Sequence, residues 1–123
     1  MTKVSFMIVD DAIFIRTLLR KIIEDVEGYT VVAEAGNGKE AIEAAKKSQP
    51  DIITLDITMP EMDGINALPK ILEVSPKSRV IVVSAMGQQS MVIDAIKMGA
   101  KDFIVKPFEK YKVYQTIQSV LAL

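Results

Sequence analysis

Several polar side chains stand directly after short apolar runs, where they could act together on a charged ligand. The adjacent pair Asp10-Asp11 follows the first run, Asp56 follows the third, and Ser84 and Lys106 follow the fourth and fifth. Carboxylates that converge repel one another, so they either raise their pKa values or hold a cation. Mg²⁺ prefers oxygen ligands and often binds one or two carboxylates together with a phosphate oxygen.

Asp56 could serve as a nucleophile instead of a simple turn residue. Carboxylates form aspartyl-phosphate intermediates, and a metal ion neutralises charge on the transferring group. Lys106 would add a second positive charge, and Ser84 would offer a hydroxyl to a phosphoryl oxygen. Taken singly these residues are weak signals, since Asp10-Asp11 could merely cap the first helix. Their joint placement at strand ends is what predicts phosphoryl chemistry, which needs mainly positioning and charge neutralisation.

The composition excludes several other kinds of chemistry. The 123 residues include no cysteine and no histidine, which rules out disulfides, Cys/His zinc sites and histidine acid–base catalysis. The formal net charge is −1, so long-range attraction favours neither nucleic acid nor an anionic membrane as a partner. The apolar start Val4–Val9 is too short for a membrane span or a signal peptide. A cytoplasmic protein is expected.

The elements that would position these side chains alternate along the chain. Apolar residues recur at helical spacing between the apolar runs, as at Ile15, Leu19, Ile22 and Val26. The runs themselves are typical of strands buried on both faces. They are Val4–Val9, Tyr29–Ala35, Ile52–Leu55, Val80–Val83 and Phe103–Val105. This alternation predicts an α/β fold with right-handed crossovers, in one domain over residues 1–123. Ligands of such open sheets bind beyond the carboxyl ends of the strands.

Pro69 conflicts with a regular third helix, which is expected over Ile65–Val74. A proline in a helix interior removes one backbone hydrogen bond and clashes with the preceding turn, at a cost of about 3 kcal/mol. The helix is therefore expected either to begin late, near Leu68, or to be kinked.

The motifs, in their order along the chain, resemble the receiver domain of two-component response regulators. That family has an acidic pair after strand one, an Asp followed by Met-Pro and Gly after strand three, a Ser or Thr after strand four and Lys-Pro after strand five. The corresponding segments here are Asp10-Asp11, Asp56–Gly64, Val83–Ala85 and Lys106–Phe108. The resemblance implies a flavodoxin-like (βα)5 fold with helices on both faces of a five-stranded parallel sheet. Its order would be 2-1-3-4-5, which is the known order of the chemotaxis regulator CheY.

The resemblance also implies roles for the acidic residues. Asp56 would accept a phosphoryl group from a histidine kinase. Asp11 would bind Mg²⁺ directly and Asp10 mostly through water, while Asp56 and the backbone carbonyl of Thr58 would be further ligands.

Other roles concern the phosphoryl oxygens and the output of the switch. The resemblance implies that Ser84 and Lys106 contact those oxygens, that Phe103 is a switch residue coupled to Ser84, and that the bond before Pro107 is cis. It also implies an output face on helix four, strand five and helix five. The candidate contact residues there are Ile93, Lys97, Lys101, Phe103, Tyr111 and Tyr114. Ordinary helix packing explains the two tyrosines equally well.

Three segments are most similar to single-domain chemotaxis regulators of the CheY type. They are Asp56–Met62, Ser84–Gln89 and Gly99–Phe108. The implied function is a signalling switch that binds a target, expected to be the flagellar motor switch, and that performs no catalysis beyond its own phosphorylation and dephosphorylation. A phosphatase could be a further partner, and a monomer is expected. The alternative is a phosphorelay intermediate or the receiver domain of a longer, DNA-binding regulator, because these share the same site.

Overall fold

A computed structural model describes residues 3–59 and 62–123 of the chain. Strands and helices alternate throughout, as the apolar patterns predicted. The elements are β1 (Val4–Val9), α1 (Ile13–Glu24), β2 (Tyr29–Ala35), α2 (Gly38–Ser48), β3 (Ile52–Asp56), α3 (Gly64–Val74), β4 (Arg79–Ala85), α4 (Gln89–Lys97), β5 (Asp102–Lys106) and α5 (Lys110–Leu121). Within the described residues, no helix combines the length and the apolar character that crossing a bilayer requires.

The five strands form one parallel sheet in the order β2-β1-β3-β4-β5, which confirms the expected order. Asp56 pairs with Val83, and Ala85 pairs with Lys106. The strand order reverses between β1 and β3, and ligands of such sheets bind beyond the carboxyl ends of the strands at that reversal. The register therefore brings the ends of β1, β3, β4 and β5 to one rim.

Helices cover both faces of the sheet, and each face has its own apolar core. Met7 and Val9 of β1 pack toward α2, α3 and α4, whereas Phe6 and Ile8 pack toward α1 and α5. This division follows from the alternation of side chains along a strand. Every residue of β3 is buried. Strand β3 is thus held from both sides, which fixes the position of its last residue, Asp56.

Helix α3 spans Gly64–Val74 and continues through Pro69, so the expectation of a late start near Leu68 is wrong. The side chain of Asp63 caps the helix by accepting a hydrogen bond from the N–H of Asn66 at 2.9 Å. Pro69 lies on the exposed side of the helix. The cap and the buried apolar side of the helix offset the backbone hydrogen bond that proline cannot donate.

Candidate functional site

Three carboxylates meet at the rim, where β1 and β3 end. One oxygen from each of Asp10, Asp11 and Asp56 lies within 4.8 Å of the others. Asp10 and Asp56 are buried and Asp11 is exposed. The parallel strands therefore bring Asp56 next to Asp10 and Asp11, although 45 positions separate Asp11 from Asp56 in the sequence.

The side chain of Asp10 provides the sharpest test of whether a cation fits. Its Oδ1 accepts a hydrogen bond from the N–H of Ala12 at 2.9 Å. Its Oδ2 is buried and accepts no aligned hydrogen bond from the residues that the structure describes, but the Lys106 ammonium lies 2.9 Å from it. A hard cation takes carboxylate oxygens as ligands, and three carboxylates converge here. The donor types and their spacing therefore fit Mg²⁺.

Helix capping does not account for the acidic pair. The residue at the N-cap of α1 is Ala12, and no side chain caps that helix end. Asp10 instead bonds the turn between β1 and α1, and Asp11 remains exposed beside it. The arrangement leaves carboxylate oxygens free to face the rim.

Asp56 is the last residue of β3 and accepts a hydrogen bond at Oδ1 from the N–H of Thr58 at 3.1 Å. Burial raises the pKa of Asp56 to about 6. The Thr58 N–H and the nearby Lys106 oppose that rise, while the charges of Asp10 and Asp11 add to it. The charged carboxylate is therefore disfavoured at this position until a cation compensates it.

Lys106 supplies a positive charge from the end of β5. Its Nζ lies 2.9 Å from Oδ2 of Asp10 and 3.5 Å from Oδ2 of Asp56. Burial disfavours the ammonium, but the two carboxylates more than offset this and raise the pKa of Lys106. The peptide bond between Lys106 and Pro107 is cis, as the resemblance implied.

Ser84 and Phe103, the two residues assigned to a switch, line the same cavity. Ser84 is buried near the end of β4, and Phe103 is 44% exposed on β5. The cavity has a volume of about 500 Å³ and is also lined by Val92 and Ile93 of α4. An apolar space beside Ser84 is therefore within reach of the Phe103 ring.

Of the residues expected on the output face, the structure places Tyr114 apart from the others. Tyr114 is half-buried, and its hydroxyl donates a hydrogen bond to the carbonyl of Ile22 on α1 at 3.0 Å. Tyr114 therefore packs toward α1, and the structure does not bring it together with the others. The remaining candidates are exposed on or next to α4, β5 and α5. They are Ile93, Lys97, Lys101, Phe103 and Tyr111.

Gln88 borders the site, although the sequence patterns gave this residue no role. Its Nε2 donates a hydrogen bond to Oγ1 of Thr58 at 2.9 Å, and its Oε1 accepts one from the N–H of Ala85 at 2.7 Å. The side chain thus joins the loop after β3 to the loop after β4. The sequence around a glutamine between a strand and a helix does not predict that the side chain folds back toward the strand.

Two further residues hold the backbone of the site. A Cβ on Gly64 would lie 2.3 Å from the carbonyl oxygen of Asp56, so only glycine lets α3 approach the end of β3 so closely. The guanidinium of Arg16 donates to the backbone carbonyl of Asp10 and pairs with Glu34 at 3.1 Å. Gly64 belongs to the motif that follows Asp56, whereas a single arginine on α1 gave no sequence signal.

Comparisons with known proteins agree with this geometry. Residues 6–118 match the model of the response regulator receiver domain. The chain is 55% identical over 114 residues to chemotaxis protein CheY of Thermotoga maritima, covering 93% of this chain and 94% of that protein. It is also 55% identical over 115 residues to chemotaxis protein CheY of Bacillus subtilis, covering 94% and 95% of the two chains.

A solved structure with the same fold is the CheX–CheY–BeF₃–Mg²⁺ complex from Borrelia burgdorferi. The match has a TM-score of 0.91 and 42% sequence identity, and covers 98% of this chain and 90% of that one. The family model spans most of the chain and includes all five site residues. The family match, the sheet order and the residues at the strand ends therefore all indicate the same family. The chain belongs to the response regulator receiver domain family and is similar to the CheY chemotaxis proteins.

Proposed function

We propose that this chain is a phosphorylation-activated switch that accepts a phosphoryl group on Asp56 and then binds a target protein. The observation that carries the proposal is the placement of Asp56, which lies buried beside two further carboxylates and 3.5 Å from the Lys106 ammonium. Membership of the receiver family supports a role in two-component signalling.

The phosphodonor would be a phosphohistidine of a histidine kinase. An Oδ of Asp56 attacks phosphorus, the new P–O bond forms as the P–N bond breaks, and the bonding electron pair leaves with the imidazole. A carboxylate needs no base to remove a proton, so the protein contributes mainly position and charge. Lys106 stabilises negative charge on the phosphoryl oxygens, and the Ser84 hydroxyl is placed to donate a hydrogen bond to one of them.

Mg²⁺ would be held by the same carboxylates. Asp10, Asp11 and Asp56 offer oxygens within 4.8 Å of one another, and the backbone carbonyl of Thr58 is the further ligand that we assign. When bound, Mg²⁺ neutralises charge on the transferring phosphoryl oxygens. The convergence of three carboxylates supports this assignment, because the single charge of Lys106 does not balance all three of them.

The output would follow from a change at Ser84. A phosphoryl oxygen draws the Ser84 hydroxyl toward Asp56, and the Phe103 ring moves into the cavity that the two residues share. The exposed surface around Ile93, Lys97 and Tyr111 then changes shape. The switch works in the cytoplasm as a monomer, and its target is a protein of the flagellar motor switch. The chemotaxis proteins that the chain matches over most of their length support this target.

Labelling with acetyl phosphate and Mg²⁺ tests the acceptor. We expect the wild type to take one phosphoryl group and Asp56→Asn to take none. Asp63→Asn is a matched control, because it also removes one carboxylate and because Asn caps a helix as well as Asp does. It should be labelled like the wild type. Label that persists in Asp56→Asn would overturn the assignment.

Binding to a flagellar switch protein tests the output. Beryllofluoride with Mg²⁺ serves as a phosphoryl mimic, and the dissociation constant is measured with and without it by isothermal titration calorimetry. We expect tighter binding in the presence of the mimic, and a smaller gain in Phe103→Ala. Equal affinities in the two states would contradict the proposed target.

A further inference from the structure

The side chain of Gln88 closes a bridge across the opening next to Asp56. Its carboxamide uses both of its ends, donating to Oγ1 of Thr58 at 2.9 Å and accepting from the N–H of Ala85 at 2.7 Å. Gln88 occupies the N-cap position of α4, but its side chain makes no cap bond to the helix. The bridge is therefore not a by-product of helix capping.

The N–H of Ala85 points toward the acceptor side of β4. The carbonyl of Val83 accepts a hydrogen bond from the N–H of Ile57, so the backbone groups of Val83 face β3. Backbone groups two residues apart on a strand point the same way, so those of Ala85 also face that side. At Ala85 the strand β3 has already ended, at Asp56. The N–H of Ala85 thus points into the space beyond the end of β3.

The ladder has no backbone partner for that N–H. Continued pairing of β3 with β4 would offer Ala85 the carbonyl of Ile57, but among the described residues that bond is not formed, and the oxygen accepts from the N–H of Gly64 at 3.2 Å. Ala85 is exposed, so only water would replace a protein acceptor for this N–H. In the unphosphorylated protein, Oε1 of Gln88 accepts the hydrogen bond from this N–H. A phosphoryl group on Asp56 would bring oxygens to the same space.

The other end of the bridge is fixed close to the acceptor. Thr58 donates its N–H to Oδ1 of Asp56 at 3.1 Å and accepts the amide of Gln88 at its hydroxyl. The carboxamide is therefore held in place by the loop that follows Asp56. This anchoring strengthens its hold on the N–H of Ala85, because less side-chain entropy is lost when that bond forms.

We propose that Gln88 is a positioning residue that competes with the incoming phosphoryl group for the N–H of Ala85 and thereby slows phosphorylation of Asp56. This inference rests on the proposed function. A phosphoryl group of about −1.5 to −2 charges needs several hydrogen-bond donors. The donor on β4 becomes available only after its bond to Gln88 breaks. Gln88 acts through Ala85 and Thr58 and takes no part in the transfer itself.

The substitution Gln88→Met tests the competition, since it keeps the length of the side chain and removes both hydrogen bonds. We expect the initial rate of labelling by acetyl phosphate with Mg²⁺ to rise roughly fivefold, the weight of one neutral hydrogen bond. Gln89→Met is the matched control. Gln89 is exposed on the first turn of α4, and its side chain makes no hydrogen bond to any residue within 3–59 or 62–123. The labelling rate of Gln89→Met should equal that of the wild type.

A second readout does not depend on phosphorylation. Hydrogen exchange at the Ala85 amide, followed by NMR without metal or phosphodonor, should be slow in the wild type and in Gln89→Met and fast in Gln88→Met. The remaining amides report whether each variant is folded. Thr58→Val, which removes only the anchoring hydroxyl, should give a labelling rate between those of the wild type and Gln88→Met.

The outcomes separate the two proposals. A labelled wild type with an equal or slower rate in Gln88→Met would overturn the competition while leaving Asp56 as the acceptor. Unchanged exchange at Ala85 in Gln88→Met would overturn it as well, because the bridge would then be absent in solution. A wild type that takes no label would overturn the proposed function and the competition together.

Discussion

The ammonium of Lys106 lies 2.9 Å from Oδ2 of Asp10, so the charge at the end of β5 reaches past β4 and β3 to the carboxylate that follows β1. That oxygen is buried and accepts no aligned hydrogen bond from residues 3–59 and 62–123, so the contact is an ion pair without hydrogen-bond alignment. Lys106 is thus a positive charge at the position where the carboxylates would hold a metal ion. Lysine and cation therefore compete electrostatically for Asp10.

Removing the ammonium should strengthen metal binding. We expect Lys106→Met to bind Mg²⁺ about 3- to 10-fold more tightly than the wild type, because one nearby positive charge is lost at a partly exposed site. Isothermal titration calorimetry measures the affinity. Lys110→Met is the control, since Lys110 pairs at 2.9 Å with Asp25 on the surface. Affinity that is unchanged or weaker in Lys106→Met would show that the lysine does not oppose the cation.

The raised pKa of Asp56 makes stability depend on pH. The folded protein holds a proton on Asp56 up to a pKa of about 6, whereas the ordinary value is 3.8. Between these pH values the folded state binds more protons than the unfolded state, so the free energy of unfolding falls as pH rises through this window. Asp56→Asn has no such titration and should be more stable than the wild type near neutral pH.

The expected gain for Asp56→Asn at about pH 7 is on the order of 1–2 kcal/mol, below the limit of about 3 kcal/mol that the full shift would give, because water at the open rim screens the charge. The gain should disappear below the ordinary pKa of 3.8. Urea unfolding of both proteins across this range, in buffer with a chelator to remove metal, provides the measurement. A gain that is independent of pH would refute the assignment of the shift to Asp56.

Gly64 should be intolerant of any side chain. A Cβ there would lie 2.3 Å from the carbonyl oxygen of Asp56 and 2.7 Å from Cα of Ile57. Because both are backbone atoms, Gly64→Ala should destabilise the fold by about 1–3 kcal/mol and displace Asp56. Gly36→Ala is the control, because its nearest atoms are side-chain atoms at 3.6 Å. Equal midpoints of urea unfolding for the two variants would contradict the close approach.

The hydroxyl of Thr54 should be a net cost to the core. Thr54 is fully buried in β3, and its Oγ1 makes no hydrogen bond within the part of the chain that the structure describes. Thr54→Val keeps the shape and removes the unsatisfied group, so we expect a gain of about 1 kcal/mol in the free energy of unfolding. Thr116→Val, which loses a hydroxyl bonded to the carbonyl of Lys112, serves for comparison and should bring no gain. Loss of stability in Thr54→Val would indicate an acceptor or water near this hydroxyl.

Sequence patterns were sufficient for features that depend on local spacing. The alternation of strands and helices was readable because a buried strand and an amphipathic helix impose different apolar periods. Pro69 shows the limit of such reasoning. A proline predicts a weakened helix, but the cap at Asp63 and the packing of the opposite side hold α3 together from Gly64 onward. Those contacts are tertiary and have no local signature.

The two tyrosines of α5 show the same limit in another form. Tyr111 and Tyr114 both fitted an exposed surface and ordinary packing, because a helix with apolar neighbours on two sides leaves such residues ambiguous. The structure separates them, since Tyr114 bonds the carbonyl of Ile22 on α1 while Tyr111 is 60% exposed. Gln88 was hidden for a related reason, as its partners Thr58 and Ala85 lie on two different loops.

The amino-acid sequence by itself determined which chemical groups stand at the strand ends, the α/β alternation that carries them there, and the exclusion of cysteine and histidine chemistry. The resemblance to the receiver family added the sheet order, which the structure confirms, and the phosphoacceptor role of Asp56, which stays a prediction. Only the tertiary structure decided the contacts between groups distant in the chain. These are the ion pair of Lys106 with Asp10, the pKa of Asp56 and the bridge formed by Gln88. Each depends on distances and burial that the packing of separate strands and loops creates, and no local pattern specifies them.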